Sequence, residues 1–345
     1  MKLYPTWAAW LLCLGCGMAE EWQRLPSLPD AEGFAGSFAG ICDGALVVAG
    51  GTNFPDKMPW EGGRKTWYDQ VHVLRTPDGP WTVAGKLPVP NGYGVSLSTD
   101  SGLVIIGGGN AERHYREVFL LSLDAAGQVT TQALPSLPEP CAFMSGAMEG
   151  TRIFLCGGIR HPEDTTAMAT FWMLDLAALE RGWQPLPPCP GPPRILAQMA
   201  VVNGAVYLFS GASLKPGPDG KAARTWLKDA WCHTFDRGWE RLADAPHVTV
   251  AAPSPLVPAA DALWILGGDD GLMVDFTPKE KHPGFPRRVL AYDLKTGDWR
   301  EGGSLPFSLV TTPLVVWRGH WVVAGGEARP GKRSPEVWWQ PLPKP

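Results

Sequence analysis

The chain has 345 residues, of which 41 are glycine, 35 proline and 17 tryptophan, while only 19% are charged. This composition disfavours long helices and is typical of many short strands joined by turns. The formal net charge of −4 offers no basic footprint for nucleic acid, so no nucleic-acid partner is expected.

The first segment of the chain is predicted to be a signal peptide over residues 1–19. Lys2 precedes an apolar run over residues 7–15 that is too short to span a bilayer, and small residues stand before Glu20 at the spacing of a cleavage site. We therefore expect a periplasmic or secreted protein with no membrane span. A lipid anchor at Cys16 is the alternative, although the preceding residues fit a lipoprotein signal imperfectly.

Five cysteines follow the predicted signal peptide, and they form no Cys-x-x-Cys pair, so a zinc site is not indicated. Their odd number leaves at least one thiol unpaired. Cys156 lies in the strand-like run "IFLCGG" and is predicted to be a small buried apolar residue.

An apolar run that ends in a pair of glycines recurs six times in the rest of the chain, at spacings of 50–58 residues. The fourth copy is degenerate, because Ser210 replaces its first glycine. The runs end at Gly51, Gly108, Gly158, Gly211, Gly268 and Gly326.

Each repeat reads as four strands, which is the composition of a β-propeller blade. A second strand-like run follows the glycines, then usually a Trp-containing segment, then a Gly- or Ala-rich strand; "AYDLKTGDW" is similar to the kelch repeat. We therefore predict an all-β protein, a single six-bladed kelch-type propeller over residues 20–345. The N-terminal "EEWQRLPSLPD" is predicted to supply the last strand of the sixth blade and so to remove an open sheet edge.

The strand order predicts where the functional surface lies. If the strands of a blade are labelled a to d from the axis outwards, the start of strand a and the end of strand b lie on the same face. The loops that follow the glycines and the segments that enter strand a, with Tyr93 and Arg194, therefore surround one mouth. A ligand pocket is expected there, although polar loops are also what any solvated surface shows.

Three loop motifs carry a resemblance to a known family. "GGTNF", "GYGVSL" and "GGEARPGKR" are similar to the motifs of sialic acid mutarotases, or N-acetylneuraminate epimerases, which are six-bladed kelch propellers of the bacterial periplasm. Asn53 precedes Glu327 here, the reverse of the order in the best-known members, so the chain resembles a cyclically permuted branch. The resemblance implies an isomerase that interconverts the α and β anomers of N-acetylneuraminate, a small sugar acid.

The resemblance also implies two catalytic residues. Glu327 matches the proposed proton acceptor of the family, and Arg333 matches the arginine of the same site. We interpret Glu327 as the general base and Arg333 as the partner of the substrate carboxylate or an electrostatic stabiliser. A surface salt bridge to Arg329 is the alternative for Glu327.

Three further residues are candidate substrate ligands. Arg194 is a second candidate for the carboxylate, and Asn53 and Tyr93 are candidates for the sugar hydroxyls or the N-acetyl group. Bracing of neighbouring blades is the alternative for Arg194 and Tyr93. Opening and closing a hemiketal needs an acid and a base but no metal, nucleotide or covalent intermediate, so neither a cofactor nor a metal site is expected.

The same sequence disfavours two other functions of propeller proteins. "PPRI" is followed by Leu196 rather than proline, and the Ser-x-Asp boxes of sialidases are missing, which argues against that class. With 6 Tyr and 7 His in no evident cluster, a copper radical oxidase is also disfavoured. The main alternative is a non-catalytic carbohydrate- or protein-binding kelch propeller. The sequence indicates no oligomeric state.

Overall fold

Residues 21–344 are described by the computed structural model, so the predicted signal peptide and Cys16 lie outside the described residues. They form six four-stranded antiparallel sheets, which are the blades of a propeller. The innermost strands of blades 6, 1, 2, 3 and 4 contact one another in turn around the axis. The predicted all-β, six-bladed architecture is thus confirmed. None of the helices in this part of the chain is long and apolar enough to cross a membrane.

The strands of each blade are given in the order a, b, c, d. They are Phe38–Cys42, Ala45–Ala49, Gln70–Leu74 and Trp81–Lys86 in blade 1; Val95–Thr99, Gly102–Ile106, Val118–Leu123 and Val129–Leu134 in blade 2; Ser145–Glu149, Arg152–Cys156, Phe171–Asp175 and Gln184–Pro185 in blade 3; Gln198–Val202, Ala205–Phe209, Ala230–Thr234 and Gly238–Leu242 in blade 4; Pro258–Ala259, Ala262–Leu266, Arg288–Asp293 and Trp299–Ser304 in blade 5; Leu314–Trp317, His320–Ala324, Val337–Pro341 and Gln23–Leu25 in blade 6.

Small elements decorate the connections between these strands. Three two-stranded hairpins extend from the ends of strands b, in blades 1, 4 and 6, and three single-turn 3₁₀ helices lie in loops. The hairpins are Thr52–Asn53 with Thr66–Trp67, Ala212–Pro216 with Ala222–Trp226, and Glu327–Arg329 with Lys332–Arg333; the helices are Pro59–Glu61, Leu179–Arg181 and Lys279–Lys281.

The N-terminal strand closes the propeller, as the sequence predicted. Gln23–Leu25 pairs antiparallel with strand c of blade 6, and Leu25 lies opposite Val337. Only 6% of Leu25 is exposed, and it belongs to a core cluster that also contains Phe34 and Trp317. The two ends of the described chain therefore share one sheet and one patch of core, and the outer side of strand c in blade 6 is paired.

Recurring tryptophans join four of the six blades to the preceding blade. In blades 1, 3, 4 and 5 the indole N–H of the strand d tryptophan donates to a backbone carbonyl of the preceding blade, at 2.8–2.9 Å. Tryptophan suits this position because it covers apolar surface with its ring and still offers one donor at the rim. The donors are Trp81, Trp183, Trp239 and Trp299.

The glycine pairs adopt a backbone that other residues resist. At Gly326, φ is 112°, and an added Cβ would lie 2.8 Å from the carbonyl oxygen of Val310. Ser210 replaces the first glycine of blade 4 at a φ of 57°. Its hydroxyl donates to the carbonyl of Leu227 and accepts from the amide of Thr249, which compensates for the strained backbone.

A closed ring of six backbone hydrogen bonds surrounds the propeller axis; we call it the axial ring. One residue from each blade, just before strand a, has a left-handed conformation with φ between 54° and 65°. Each amide donates to the carbonyl of the corresponding residue in the preceding blade, at 2.7–2.9 Å. The six residues of the axial ring are Gly36, Tyr93, Phe143, Leu196, Ala251 and Thr311.

The cysteines are all free thiols in the described part of the chain. Cys156 is buried between blades 3 and 4, as predicted, and burial raises the pKa of its thiol to about 12. It is therefore a protonated, apolar core residue at neutral pH.

Replacement of Leu25 by alanine tests the closure of blade 6. The variant loses buried methyl groups from the shared core, so the free energy of unfolding should fall by about 2–5 kcal/mol in a denaturant titration. Gln23→Ala is the matched control, because Gln23 lies on the same strand but is exposed, and it should stay within about 0.5 kcal/mol of the wild type. Equal stability of the two variants would show that the strand does not contribute to the core.

Candidate functional site

The structure brings Glu327 and Arg333 together at the mouth of the propeller. They lie opposite each other on the hairpin that follows Gly326, and Glu327 also forms a backbone bridge with Val310, the residue before the axial ring in blade 6. Glu327 Oε1 lies 2.7 Å from Arg333 Nη1. Glu327 is therefore paired with Arg333, and not with Arg329, which was the alternative considered from sequence.

One oxygen of the Glu327 carboxylate remains available to a ligand. Oε1 accepts both from the Arg333 guanidinium and from the amide of Gly331, at 2.6 Å. Oε2 has no hydrogen-bond donor within residues 21–344, and 18% of the side chain is exposed. A carboxylate held through one oxygen and open through the other is suited to accept a proton from a bound molecule.

Arg333 is almost fully used by the protein itself. Only 3% of its side chain is exposed. Besides Glu327, its guanidinium contacts the carbonyl of Thr52 at 3.4 Å and the hydroxyl of Tyr93 at 3.3 Å, and it lies 5.0 Å from the ring centroid of Phe54. Of the two roles considered from sequence, this geometry fits electrostatic stabilisation, because no free edge is left for a bidentate carboxylate.

Tyr93 connects this pair to the axis. Its backbone is a member of the axial ring, its ring stacks on Phe143 with centroids 4.7 Å apart, and its hydroxyl lies 2.9 Å from the Thr52 hydroxyl. Because Arg333 and the Lys65 ammonium are donors to the same oxygen, the Tyr93 proton is directed towards Thr52. Tyr93 thus braces the blades through its backbone and serves the site through its hydroxyl.

A pocket opens on the axis beside Tyr93. Side chains of the axial ring line it, together with small and hydroxyl-bearing residues at the start of the strands a. The buried hydroxyl of Ser37 lines this pocket without a protein hydrogen-bond partner. Glu327 and Arg333 do not line it, but Tyr93 does, so the pocket and the charged pair meet at the Tyr93 ring.

Lys65 is a site residue that the sequence analysis did not single out. It lies beside the hairpin of blade 1, with its ammonium 3.4 Å from the Tyr93 hydroxyl and 5.2 Å from the Tyr93 ring centroid. The signal was present in "GGRKTWYD", a mouth loop in which a cation precedes two aromatics. Arg64 next to it is exposed, and only the folded hairpin distinguishes the two.

The structure corrects the interpretation of Asn53 as a sugar ligand. Asn53 is 0% exposed. Its amide nitrogen donates to Asp30 and to the carbonyl of Gly33, and its oxygen accepts from the hydroxyl of Tyr68 at 2.7 Å. With these groups occupied, Asn53 fastens the N-terminal segment to the mouth hairpin of blade 1 and does not reach the pocket.

Arg194 adopts the bracing role that was its alternative. Its side chain is 2% exposed and forms a bidentate pair with Asp229, at 2.8 Å and 2.6 Å, while Nη1 also donates to the carbonyl of Ser210. Burial alone would raise the pKa of Asp229, but the hydrogen bonds and charge of Arg194 hold it below its usual value. The interpretation of Arg194 as a carboxylate ligand is therefore corrected.

The arrangement of Glu327, Arg333 and Tyr93 is suited to acid–base chemistry, and the described residues contain no cluster of metal ligands. Across the described residues, no three His, Cys, Asp or Glu side chains converge as possible ligands. At the mouth of the six-bladed propeller, one guanidinium contacts both a carboxylate and a phenol, and this gives the class of protein: a propeller with a polar, charged mouth.

Part of the chain is similar to a family of known proteins. Residues 14–129 match the N-acetylneuraminate epimerase family model. N-acetylneuraminate epimerases from Yersinia pestis (strain Pestoides F) and Haemophilus influenzae are 40% and 34% identical over 107 and 102 residues, which cover 27% and 26% of this chain and 27% of each relative. The resemblance carried by the loop motifs is confirmed.

Longer matches are more distant. N-acetylneuraminate epimerase 1 of Escherichia coli is 23% identical over 237 residues, or 61% of this chain and 60% of that protein. The solved structure titled "Structure of YjhT" superposes with a TM-score of 0.66 over 91% of this chain and 95% of that chain, at 16% identity, which supports the fold. The chain thus matches only about a quarter of the length of the relatives from Yersinia and Haemophilus, and Glu327 and Arg333 lie outside residues 14–129.

The role of Arg194 can be tested by removing its charge alone and then together with that of Asp229. Arg194→Met leaves a buried, unpaired carboxylate and should lower the free energy of unfolding by about 3–5 kcal/mol. Adding Asp229→Leu removes that carboxylate and should recover most of the loss, as measured by denaturant titration.

The Arg194–Asp229 pair also makes the free energy of unfolding of the wild type depend on pH in acid. Because the pKa of Asp229 is depressed in the folded state, its stabilisation is present above the unfolded pKa of about 3.9 and is lost as pH falls through the lower folded value. The double variant should lack this component. If the single and double variants were equally unstable, the pair would not be the bracing contact described here.

Proposed function

We propose that the protein is a cofactor-independent mutarotase that interconverts the α and β anomers of N-acetylneuraminate. The observation that carries the proposal is that Arg333, at the propeller mouth, contacts both the Glu327 carboxylate, which has one open oxygen, and the Tyr93 hydroxyl, which also contacts the Lys65 ammonium. The names of the relatives support the same substrate class. We also propose a periplasmic or secreted location, on the basis of the N-terminal sequence.

Ring opening needs one proton acceptor and one proton donor. Glu327 accepts the proton of the anomeric hydroxyl through Oε2. The Tyr93 hydroxyl turns its proton from the Thr52 hydroxyl to the ring oxygen of the bound sugar and donates it there. The bond between the anomeric carbon and the ring oxygen breaks, and the keto form results. Arg333 and Lys65, both in contact with the Tyr93 oxygen, stabilise the negative charge left on it.

Ring closure reverses these transfers on the other face of the carbonyl. After rotation about the bond to the carbonyl carbon, the freed hydroxyl attacks the carbonyl and returns its proton to Tyr93. Protonated Glu327 then gives its proton to the carbonyl oxygen, which becomes the anomeric hydroxyl of the opposite anomer. The enzyme ends with the protons it began with, so the cycle needs no external acid, base or reductant.

Glu327→Gln should remove most of the catalysed exchange. The amide preserves shape but cannot accept the proton, so we expect the rate above the uncatalysed background to fall about 10²–10⁴-fold. Exchange of α and β anomers is measured by NMR on N-acetylneuraminate. Glu112→Gln is the control, since Glu112 is an exposed carboxylate in a mouth loop of blade 2, and it should keep wild-type exchange. Unchanged exchange in a folded Glu327→Gln variant would exclude Glu327 as the base.

Tyr93→Phe tests the proton donor separately from the stacking. The variant keeps the ring that packs on Phe143 and loses only the hydroxyl, so the exchange rate should fall about 10²-fold or more while the melting temperature changes little. Phe143→Leu serves as a control for the aromatic contact. Wild-type exchange in Tyr93→Phe would transfer the donor role to another group or to water.

A further inference from the structure

We propose that Lys65 is the residue that binds the carboxylate of the substrate and so selects a sugar acid over a neutral sugar. The inference deepens the function proposed above and rests on it. It assigns to Lys65 a role considered from sequence only for Arg333 and Arg194.

The other cations that sequence or charge would suggest already have carboxylate partners. Arg333 is paired with Glu327, and Lys332 is paired with Glu32 at 2.5 Å. Arg194 is buried against Asp229, away from the pocket. A guanidinium that already holds a protein carboxylate in a bidentate or shared contact is a poor receptor for a second one, because each N–H can donate to one strong acceptor at a time.

Lys65 differs in having no carboxylate within ion-pair distance in the described structure. Its ammonium is instead held by the Tyr93 hydroxyl at 3.4 Å and by the faces of Tyr93 and Trp67, at 5.2 and 5.6 Å from the ring centroids. An ammonium has three donors, and the Tyr93 contact uses one of them. Aromatic faces hold a cation in position without neutralising it, so Lys65 is a positioned positive charge that lacks an anion.

The position suits the connectivity of a 2-keto sugar acid. In such a substrate the carboxylate, the anomeric hydroxyl and the ring oxygen are all attached to one carbon. In the protein, Lys65, Tyr93 and the Arg333–Glu327 pair form an unbroken series of contacts of 3.4, 3.3 and 2.7 Å. A substrate that presents its ring oxygen to Tyr93 and its anomeric hydroxyl to Glu327 therefore brings its carboxylate towards the Lys65 side of Tyr93.

Arg329 is another mouth cation without a carboxylate partner in residues 21–344. Its guanidinium lies 5.9 Å from the ring centroid of Trp60, and its Nε is buried without a hydrogen-bond partner. It contacts neither Tyr93 nor the Arg333–Glu327 pair. Arg329 is therefore the proper rival in the test, and Lys65 is favoured because its contacts join it directly to the reacting groups.

The test compares Lys65→Met with variants at two other cations. For N-acetylneuraminate, Lys65→Met should raise KM for anomer exchange and Kd, measured by calorimetry, about 10- to 100-fold, as expected for loss of one charge-assisted hydrogen bond. The exchange rate at saturation should fall as well, because the Lys65 ammonium also contacts the Tyr93 oxygen, so Kd is the measurement that reports carboxylate binding. Lys65→Arg keeps the charge and should recover part of the affinity.

Control variants show whether binding depends on the position of Lys65 or on the loss of any positive charge at the mouth. Lys57→Met removes an exposed lysine from the same mouth loop and should bind like the wild type, as should Arg329→Met. A second arm uses the neutral methyl ester of the sugar acid, which the wild type should bind 10- to 100-fold more weakly than the acid. Lys65→Met should bind acid and ester with similar affinity, because the discriminating charge is gone.

The results distinguish failure of the Lys65 assignment from failure of the proposed function. Wild-type affinity for the acid in a folded Lys65→Met variant, or a loss of affinity in Arg329→Met alone, overturns the assignment of Lys65 while the mutarotase proposal stands. If the wild type neither binds nor exchanges N-acetylneuraminate, the proposed function fails, and the assignment fails with it. Melting temperatures of all variants identify any loss that comes from unfolding.

Discussion

Six backbone amides, one from each blade, donate in turn to the carbonyl of the preceding blade and close the axial ring. Each contributing residue must take a left-handed backbone, which costs free energy for any residue except glycine. The ring is kept because it satisfies polar groups that the converging strands would otherwise bury unpaired. It also directs the side chains of its members, with Tyr93 among them, into the mouth.

The candidate site depends on this ring because it is built from three consecutive blades. Glu327 and Arg333 belong to blade 6, Lys65 to blade 1 and Tyr93 to blade 2, so the contacts span the junction at which the N-terminal strand enters blade 6. Gly326 donates to the carbonyl of Phe34 across that junction at 2.6 Å. The same strand pairing that closes the fold therefore holds blade 6 beside blade 1, where Arg333 contacts Glu327 and Tyr93.

The fold could be predicted from sequence because its constraints are local and repeated six times. Glycine pairs, alternating apolar strands and recurrent tryptophans each follow from one blade's geometry, and even the degenerate Ser210 keeps the required backbone through its hydroxyl. The resemblance of their loop motif to a known family placed Glu327 and Arg333 in one site, and the folded hairpin shows that they form a direct ion pair. Roles that depend on partners distant in sequence could not be predicted. Arg194 pairs with Asp229, which is 35 residues away, and Asn53 donates to Asp30.

Lys65 is a second residue whose role could not be predicted from the sequence. Nothing in the sequence distinguishes it from other lysines of the mouth, since its role arises from what it lacks, a carboxylate, and from aromatic faces of two blades that hold it. A buried charge pair alone contributes little to stability, because desolvation offsets the attraction. At this mouth the pair of Glu327 and Arg333 is held through one carboxylate oxygen, while the unpaired ammonium lies two contacts away. That asymmetry, one base with an open oxygen and one cation without an anion, is what a substrate that is both acid and hemiketal would complete.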